Sequence, residues 1–364
     1  MRLARFLYVM TMGIILVVGV LVAGCSDDDK PTQPQQTWSW SALGTGIDST
    51  VHTLTIYDNK LIAGGQFFTA GGVSANQIAA WDGTSWSPLG TGMNDEVEAL
   101  AIYDNKLIAG GWFTTAGGVS ANRIAAWDGA SWAPLGTGMN ASVIALSVYD
   151  NKLIAGGRFV TAGGVGANHI AAWDGTTWTP LGTGINDGVC VLIAYDNKLI
   201  AGGWFTAAGG VSANCIAAWD GTTWTPLGTG ANIEIDDLTI YDNKLIAGGW
   251  FTTAGGVSAN HIAAWDGSAW APLGTGVYGS VSALTVFDNK LTAGGNFNIA
   301  GEVSATNIAT WNGTTWAPLG TGIDGTDNPY ILAFTIYGNK LIAGGHFLTA
   351  GGDSAKYIAE WSLK

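Results

Sequence analysis

Apolar residues along this chain come in short runs separated by turn chemistry, and no long helical period interrupts them. The stretch VEALAIYD (97–104) is rich in β-forming residues and runs into an Asp-Asn-Lys turn. KLIAGGWFT (106–114) follows, then the glycine-rich TAGGVSA (115–121), then RIAAWD (123–128) and an Asp-Gly turn signal, then SWAPLG (131–136). Each run has strand length and is bounded by Gly, Asn, Asp or Ser, so the pattern predicts four antiparallel strands. Parallel βαβ units are excluded, because there is no helix to make the crossover.

This unit repeats. Its Gly-Gly pair recurs at Gly64, Gly110, Gly156, Gly202, Gly248, Gly294 and Gly344, every 46 residues and then once after 50. The four extra residues fall in the loop around 326–330. A period of this size with all-strand chemistry marks a β-propeller. The expected fold is therefore all-β: a seven-bladed β-propeller with four antiparallel strands per blade. The last copy stops at YIAEWSLK (357–364), without a fourth strand. The missing piece stands at the other end, in TWSWSALGTG (37–46), a match to TTWTPLGTG. The N-terminal strand is expected to complete the last blade and remove the open sheet edge.

Tryptophan recurs at one place before each turn, such as Trp127, and at one place on each outer strand, such as Trp132. A large ring repeated once per blade is packing between sheets. The Gly-Gly pairs mark close approach of a neighbouring chain rather than a phosphate cradle, since no helix follows them.

These features together resemble the kelch-type repeat: a strand into Gly-Gly, an apolar strand, a turn, and a Trp ahead of a Pro-Leu strand. They are also similar to the repeats of the fungal cortical cell-polarity markers. The resemblance covers 38–361, with one departure: Trp127 and Trp132 stand five apart, where kelch units space the aromatic pair by six. Kelch-like families mostly bind other proteins and a few are enzymes, so the resemblance implies a propeller without settling a function.

The N-terminus is of another kind. Arg2 and Arg5 precede an uncharged apolar run (6–24) that ends in LVAGC. That is the order of an export signal, and its end resembles the lipobox of bacterial lipoproteins. The resemblance implies cleavage before Cys25, lipidation of Cys25 and, with Ser26 next, sorting to the outer membrane. Residues 25–37 read as a polar tether, and the expected domains are signal peptide 1–24, tether 25–37 and propeller 38–364. Membrane contact is then through the lipid anchor only. Formal charge is −13 for the whole chain and −15 without Arg2 and Arg5. With 14 Lys and Arg in all, a nucleic-acid partner is excluded as an expectation.

The copies also differ among themselves at a few places. The position after Gly-Gly holds Gln66, Trp112, Arg158, Trp204, Trp250, Asn296 and His346. The position before Ile-Ala holds Gln77, Arg123, His169, Cys215, His261, Asn307 and Tyr357. A third, early in the first strand, holds His52, Glu98, Ile144, Cys190, Asp236, Ser282 and Leu332. Alternating strand direction brings all three to the rim opposite the Asp-Asn turns. If strands two and three pair about the Gly117-Gly118 junction, residue 112 faces 123, 158 faces 169, 250 faces 261 and 346 faces 357. Aromatic, arginine and histidine side chains suit recognition, since they join apolar area to hydrogen bonding. The expected binding rim is Trp112, Arg123, Arg158, His169, Trp204, Trp250, His261, His346 and Tyr357.

Catalytic and metal motifs are missing: no G-x-S-x-G, no C-x-x-C, no H-E-x-x-H and no complete calcium loop. IDGTDN (323–328) is the one carboxylate-rich turn of calcium type. No cofactor is expected. Cys190 and Cys215 fall on the first and third strands of one blade, about 9–10 Å apart at strand spacing, beyond a disulfide's reach. The expected function is an envelope-anchored, non-enzymatic binding or scaffold lipoprotein with a protein partner. The alternative is a glycan-binding, lectin-like propeller with Trp112, Trp204 and Trp250 as stacking platforms. A hydrolase using Glu98, Glu234, Asp236 and Asp237 ranks third.

Overall fold

Each repeat reverses direction at turns that its own residues specify. In the computed structural model, which describes residues 37–364, Tyr103 pairs with Lys106 across a two-residue turn in which Asp104 and Asn105 have φ of 49° and 55°. Two left-handed residues make the turn type that matches strand twist, and Asp and Asn tolerate it best after glycine.

Seven antiparallel blade sheets result, six of four strands and one in which a short fifth strand, Val303–Ser304, joins the four. Their first strands are Val51–Tyr57, Val97–Tyr103, Val143–Tyr149, Val189–Tyr195, Ile235–Tyr241, Val277–Phe287 and Tyr330–Tyr337, numbered here as blades 1 to 7. These strands adjoin one another in order, with blade 7 against blade 1, so they surround a central axis. Among the described residues there is no helix. The expected signal peptide, the lipidation at Cys25 and nearly all of the tether lie outside the described residues.

The ends meet as expected. Trp38–Ala42 pairs with Ile358–Leu363 and places Trp40 opposite Trp361. Within each ordinary blade the outer-strand indole reaches the blade before it: Trp132 Nε1 donates to Leu89 O at 3.0 Å and Trp178 Nε1 to Leu135 O at 2.9 Å. Trp40 does the same to Leu319 O at 3.2 Å. The N-terminal strand thus supplies both the ladder and the inter-blade bond of a normal fourth strand.

The glycines answer to packing. A Cβ on Gly110 would fall 2.6 Å from Val143 Cγ1 of the next blade, and one on Gly111 would meet Glu96 O. The core lies between the sheets, and each layer repeats the same set, as in Leu107, Ala109, Phe113, Ala125 and Trp132.

Two irregularities recur in every blade. Val97 pairs with Gly111 and Ala99 with Gly110, so Glu98 is left over as a β-bulge. The same skip occurs at His52, Ile144, Cys190, Asp236, Ser282 and Leu332. The second lies between strands two and three. The loop tip pairs Ala116 with Val119 and is centred on Gly117-Gly118. The blade ladder, however, pairs Gly110 with Ile124, one residue out of step. Residue 123 takes up the difference with φ of 67°, donating to Phe113 O at 2.8 Å and accepting from Gly111 N at 3.0 Å. The expected facing of 112 and 123 is therefore corrected: the ladder ends before both, and Arg123 sits in a left-handed kink.

Candidate functional site

A cavity of about 620 Å³ opens where the bulges surround the axis. A bulge re-aims its side chain because the extra residue has no ladder partner. All seven bulge residues, His52, Glu98, Ile144, Cys190, Asp236, Ser282 and Leu332, line this cavity. Four residues from the position after Gly-Gly join them: Trp112, Arg158, Trp204 and Trp250. Their backbone is fixed by the same irregularity, since the Trp112 and Arg158 N–H groups donate to Glu96 O and Ser142 O, two residues before the bulge.

The Arg158 guanidinium lies 4.5 Å from the Trp204 ring and 5.9 Å from that of Trp112. Trp204 lies against Gly188, where a Cβ would come within 2.8 Å of its ring. Arg158 has no salt bridge or side-chain hydrogen bond among the described residues, so its donors are open to a ligand. Trp250 is half exposed, at 51%. Together these give flat apolar surface, one stacked cation and unpaired donors at a single mouth.

Acidic side chains from the same blades share this lining. His52 Nδ1 stands 3.1 Å from Glu98 Oε2, at ion-pair distance but without the alignment of a hydrogen bond. Burial works against the His52 charge, yet Glu98 and Glu96 outweigh it and raise its pKa. Burial also opposes the Glu98 charge, and His52 and the Trp112 indole more than compensate, holding Glu98 low. In blade 5, burial pushes Asp236 up to about 7, helped by the charges of Glu234 and Asp237. Asp237 is likewise pushed to about 7 by burial, although the N–H groups of Leu284 and Leu238 donate to it at 2.6 and 2.8 Å. Asp237 thereby bridges blades 5 and 6, while Asp236 faces the cavity. Cys190 and Cys215 are both free thiols. Burial pushes Cys215 up to about 11 and Cys190 higher still, with Glu234 adding to both.

The remaining expected rim residues lie apart from this mouth. Arg123, His169, His261 and Tyr357 all occupy the left-handed kink, with φ between 61° and 67°, and are half-buried. His169 Nδ1 is 3.1 Å from the carbonyl of Gly157. Burial lowers the pKa of His261 despite the nearby backbone of Gly249 and Trp250. His346 stacks on Tyr330 at 5.4 Å, meets Tyr357 at 5.7 Å and bonds Thr50 Oγ1 at 3.1 Å. Of the four expected facing pairs, His346 with Tyr357 is the one whose rings touch. In the IDGTDN turn, Asp324 accepts from the N–H of Gly325 and Asn328 accepts from Asn296. Reading the sequence missed the bulge, which makes the third variable position the channel lining. Its signal was present as a position that changes freely between an invariant β-branched residue and the rest of the strand.

Comparison with known proteins agrees with this architecture. A family model described as a domain of unknown function (DUF5122) beta-propeller matches residues 104–125, 196–217 and 242–263. Each match runs from the Asp-Asn turn to the second residue past the kink. No curated protein matches the chain. Among solved structures, the WD40 beta propeller domain of Doa1 is similar at 15% identity and a TM-score of 0.56, over 90% of this chain and 97% of that one. The extracellular domain of BT4673 from B. thetaiotaomicron is similar at 12% identity and a TM-score of 0.61, over 89% of this chain and 40% of that one. The computationally designed Ika8 protein is similar at 20% identity and a TM-score of 0.50, over 87% and 97%. At such identities the likeness is one of fold. The chain is a β-propeller repeat protein.

Proposed function

We propose that this propeller is an exported, lipid-anchored and non-enzymatic binding module whose ligand enters the central cavity between Trp112, Arg158, Trp204 and Trp250. One observation carries the reading: the bulge position of all seven repeats and the position after Gly-Gly of four, both variable among otherwise near-identical copies, converge on one concave mouth. A cavity of about 620 Å³ suits a compact group, since ligand pockets run to roughly 300–1,000 Å³. A protein partner would engage it by inserting a loop, with Trp and Arg as anchors. Anchoring at Cys25, with outer-membrane placement, rests on the N-terminal sequence alone. The comparison with the extracellular domain of BT4673 is compatible with an exported role.

A second reading, a glycan ligand, is favoured by the exposed Trp250 ring and the neighbouring carboxyl groups, because sugars present both a C–H face and hydroxyls. A glycan array with the purified chain separates the two. Specific hits favour the glycan, and a blank array with capture of an envelope protein favours the partner. Replacing Trp112, Trp204 and Trp250 together by Ala should abolish capture in either case without unfolding. Undiminished capture by that variant would sink both readings.

A further inference from the structure

The wall between blades 1 and 2 carries a donor set that crosses from one repeat to the next. One ligand-type atom from each of His52, Glu96 and Glu98 lies within 4.8 Å of the other two. His52 and Glu98 are bulge residues of adjacent blades, and Glu96 stands two positions before the second bulge. We propose that His52, Glu96 and Glu98 form a binding site for a divalent transition ion of the Zn²⁺ class.

Three observations support it. The His52 Nδ1 atom is closed to solvent and has no aligned hydrogen-bond partner, with only 14% of the side chain exposed. That nitrogen faces Glu98 Oε2 at 3.1 Å, so the imidazole and the carboxylate address the same space. Two carboxylates share this corner, and among the described residues neither forms a salt bridge to Lys or Arg. Like charges held together call for a cation, and His52 is the one positive partner within reach. One imidazole with two carboxylates is a donor set that borderline divalent ions accept, with open positions left for water or a ligand. Gln66 Nε2 donates to Glu96 Oε1 and orients that carboxylate from outside.

The repeat provides an internal control. The same three backbone positions recur at each blade junction, yet between blades 3 and 4 they hold Ile144, Gly188 and Cys190. Between blades 6 and 7 they hold Ser282, Tyr330 and Leu332. Only Cys190, Glu234 and Asp236, between blades 4 and 5, have comparable chemistry. Among the described residues, the His52 set alone brings its donor atoms together. The geometry of the bulge is thus common to all blades, and the ligand chemistry is particular to one junction.

The test is calorimetric titration of the tag-free, chelator-treated chain with Zn²⁺ alone. The expected result is one saturable site with a rise in the unfolding midpoint on loading. Glu98→Gln and His52→Gln should each weaken binding by roughly tenfold or more, with unchanged circular dichroism in the absence of metal. If either variant fails to fold, Glu96→Gln serves the same comparison. Absence of a saturable site, or equal affinity in all folded variants, would overturn the proposal. Zn²⁺ binding is read here without the cavity's ligand, so that failure would leave the proposed ligand binding standing.

Discussion

The two faces of the disc are built from the same strands and behave in opposite ways. On the turn face, residues repeat with little change. Asp-Asn turns close six blades and Gly338-Asn339 the seventh, and tyrosine hydroxyls reach the next blade's turn, as in Tyr149 to Asn197 O at 3.0 Å. On the cavity face, the bulge position alone runs through His, Glu, Ile, Cys, Asp, Ser and Leu. The difference follows from what each side chain meets. A turn residue must hold a left-handed φ and a contact to its neighbour, whereas a bulge residue has no ladder partner and points to the axis. Constancy therefore marks packing, and at the bulge variation marks the surface that a ligand can reach.

Tryptophan offers the largest contrast between the two kinds of position. Trp132→Ala removes a buried ring and its bond to Leu89 O, so it should destabilise by about 3–5 kcal/mol in denaturant unfolding. Trp112→Ala, at 36% exposure, should cost well under about 1 kcal/mol and act on ligand capture instead. Equal losses at the two sites would break the distinction.

The acidic lining comes next. Asp236 and Asp237 have folded-state pKa values raised to about 7, so the folded state binds protons that the unfolded state has released. Stability should then fall as pH rises from about 4 to about 7 and level off above, by roughly 4 kcal/mol for each carboxyl. Asp236→Asn should flatten that slope, as followed by unfolding midpoints across the pH range. A steeper slope in the variant would show that the burial is misassigned.

Gly110→Ala tests the inter-blade contact. With Val143 Cγ1 2.6 Å from the added Cβ, it should cost about 1–3 kcal/mol in thermal or denaturant unfolding. The smallest effect belongs to the kink. Arg123→Gly relieves a left-handed residue at φ 67° and should stabilise by about 0.5–1 kcal/mol. Ligand capture should persist, since Arg123 lies away from the cavity. Loss of capture would return the kink positions to the binding surface.

Much of the fold was legible because the chain states it seven times. The 46-residue period, the two-residue turns and the match of 37–46 to an outer strand specify the blade, its number and its closure. Each of these depends on local chemistry or on repetition, which a sequence displays directly. The candidate site was legible in part. Trp112, Arg158, Trp204 and Trp250 stood out as variable, and the structure gathers them at one mouth. The kink residues stood out equally, yet they occupy a conformational role, and a letter string does not distinguish variation that faces a cavity from variation that sits in a bend.

By itself the sequence determined an all-β, seven-bladed propeller closed by its N-terminal strand, because hydrophobic period, turn residues and copy number act within one repeat or between identical ones. Only the tertiary structure decided which variable residues meet. The bulge that turns Glu98 and His52 toward the axis shifts the register by a single residue, and the pairing of donors from blades 1 and 2 depends on how neighbouring sheets dock. Those are properties of distances between repeats, and no spacing along the chain encodes them.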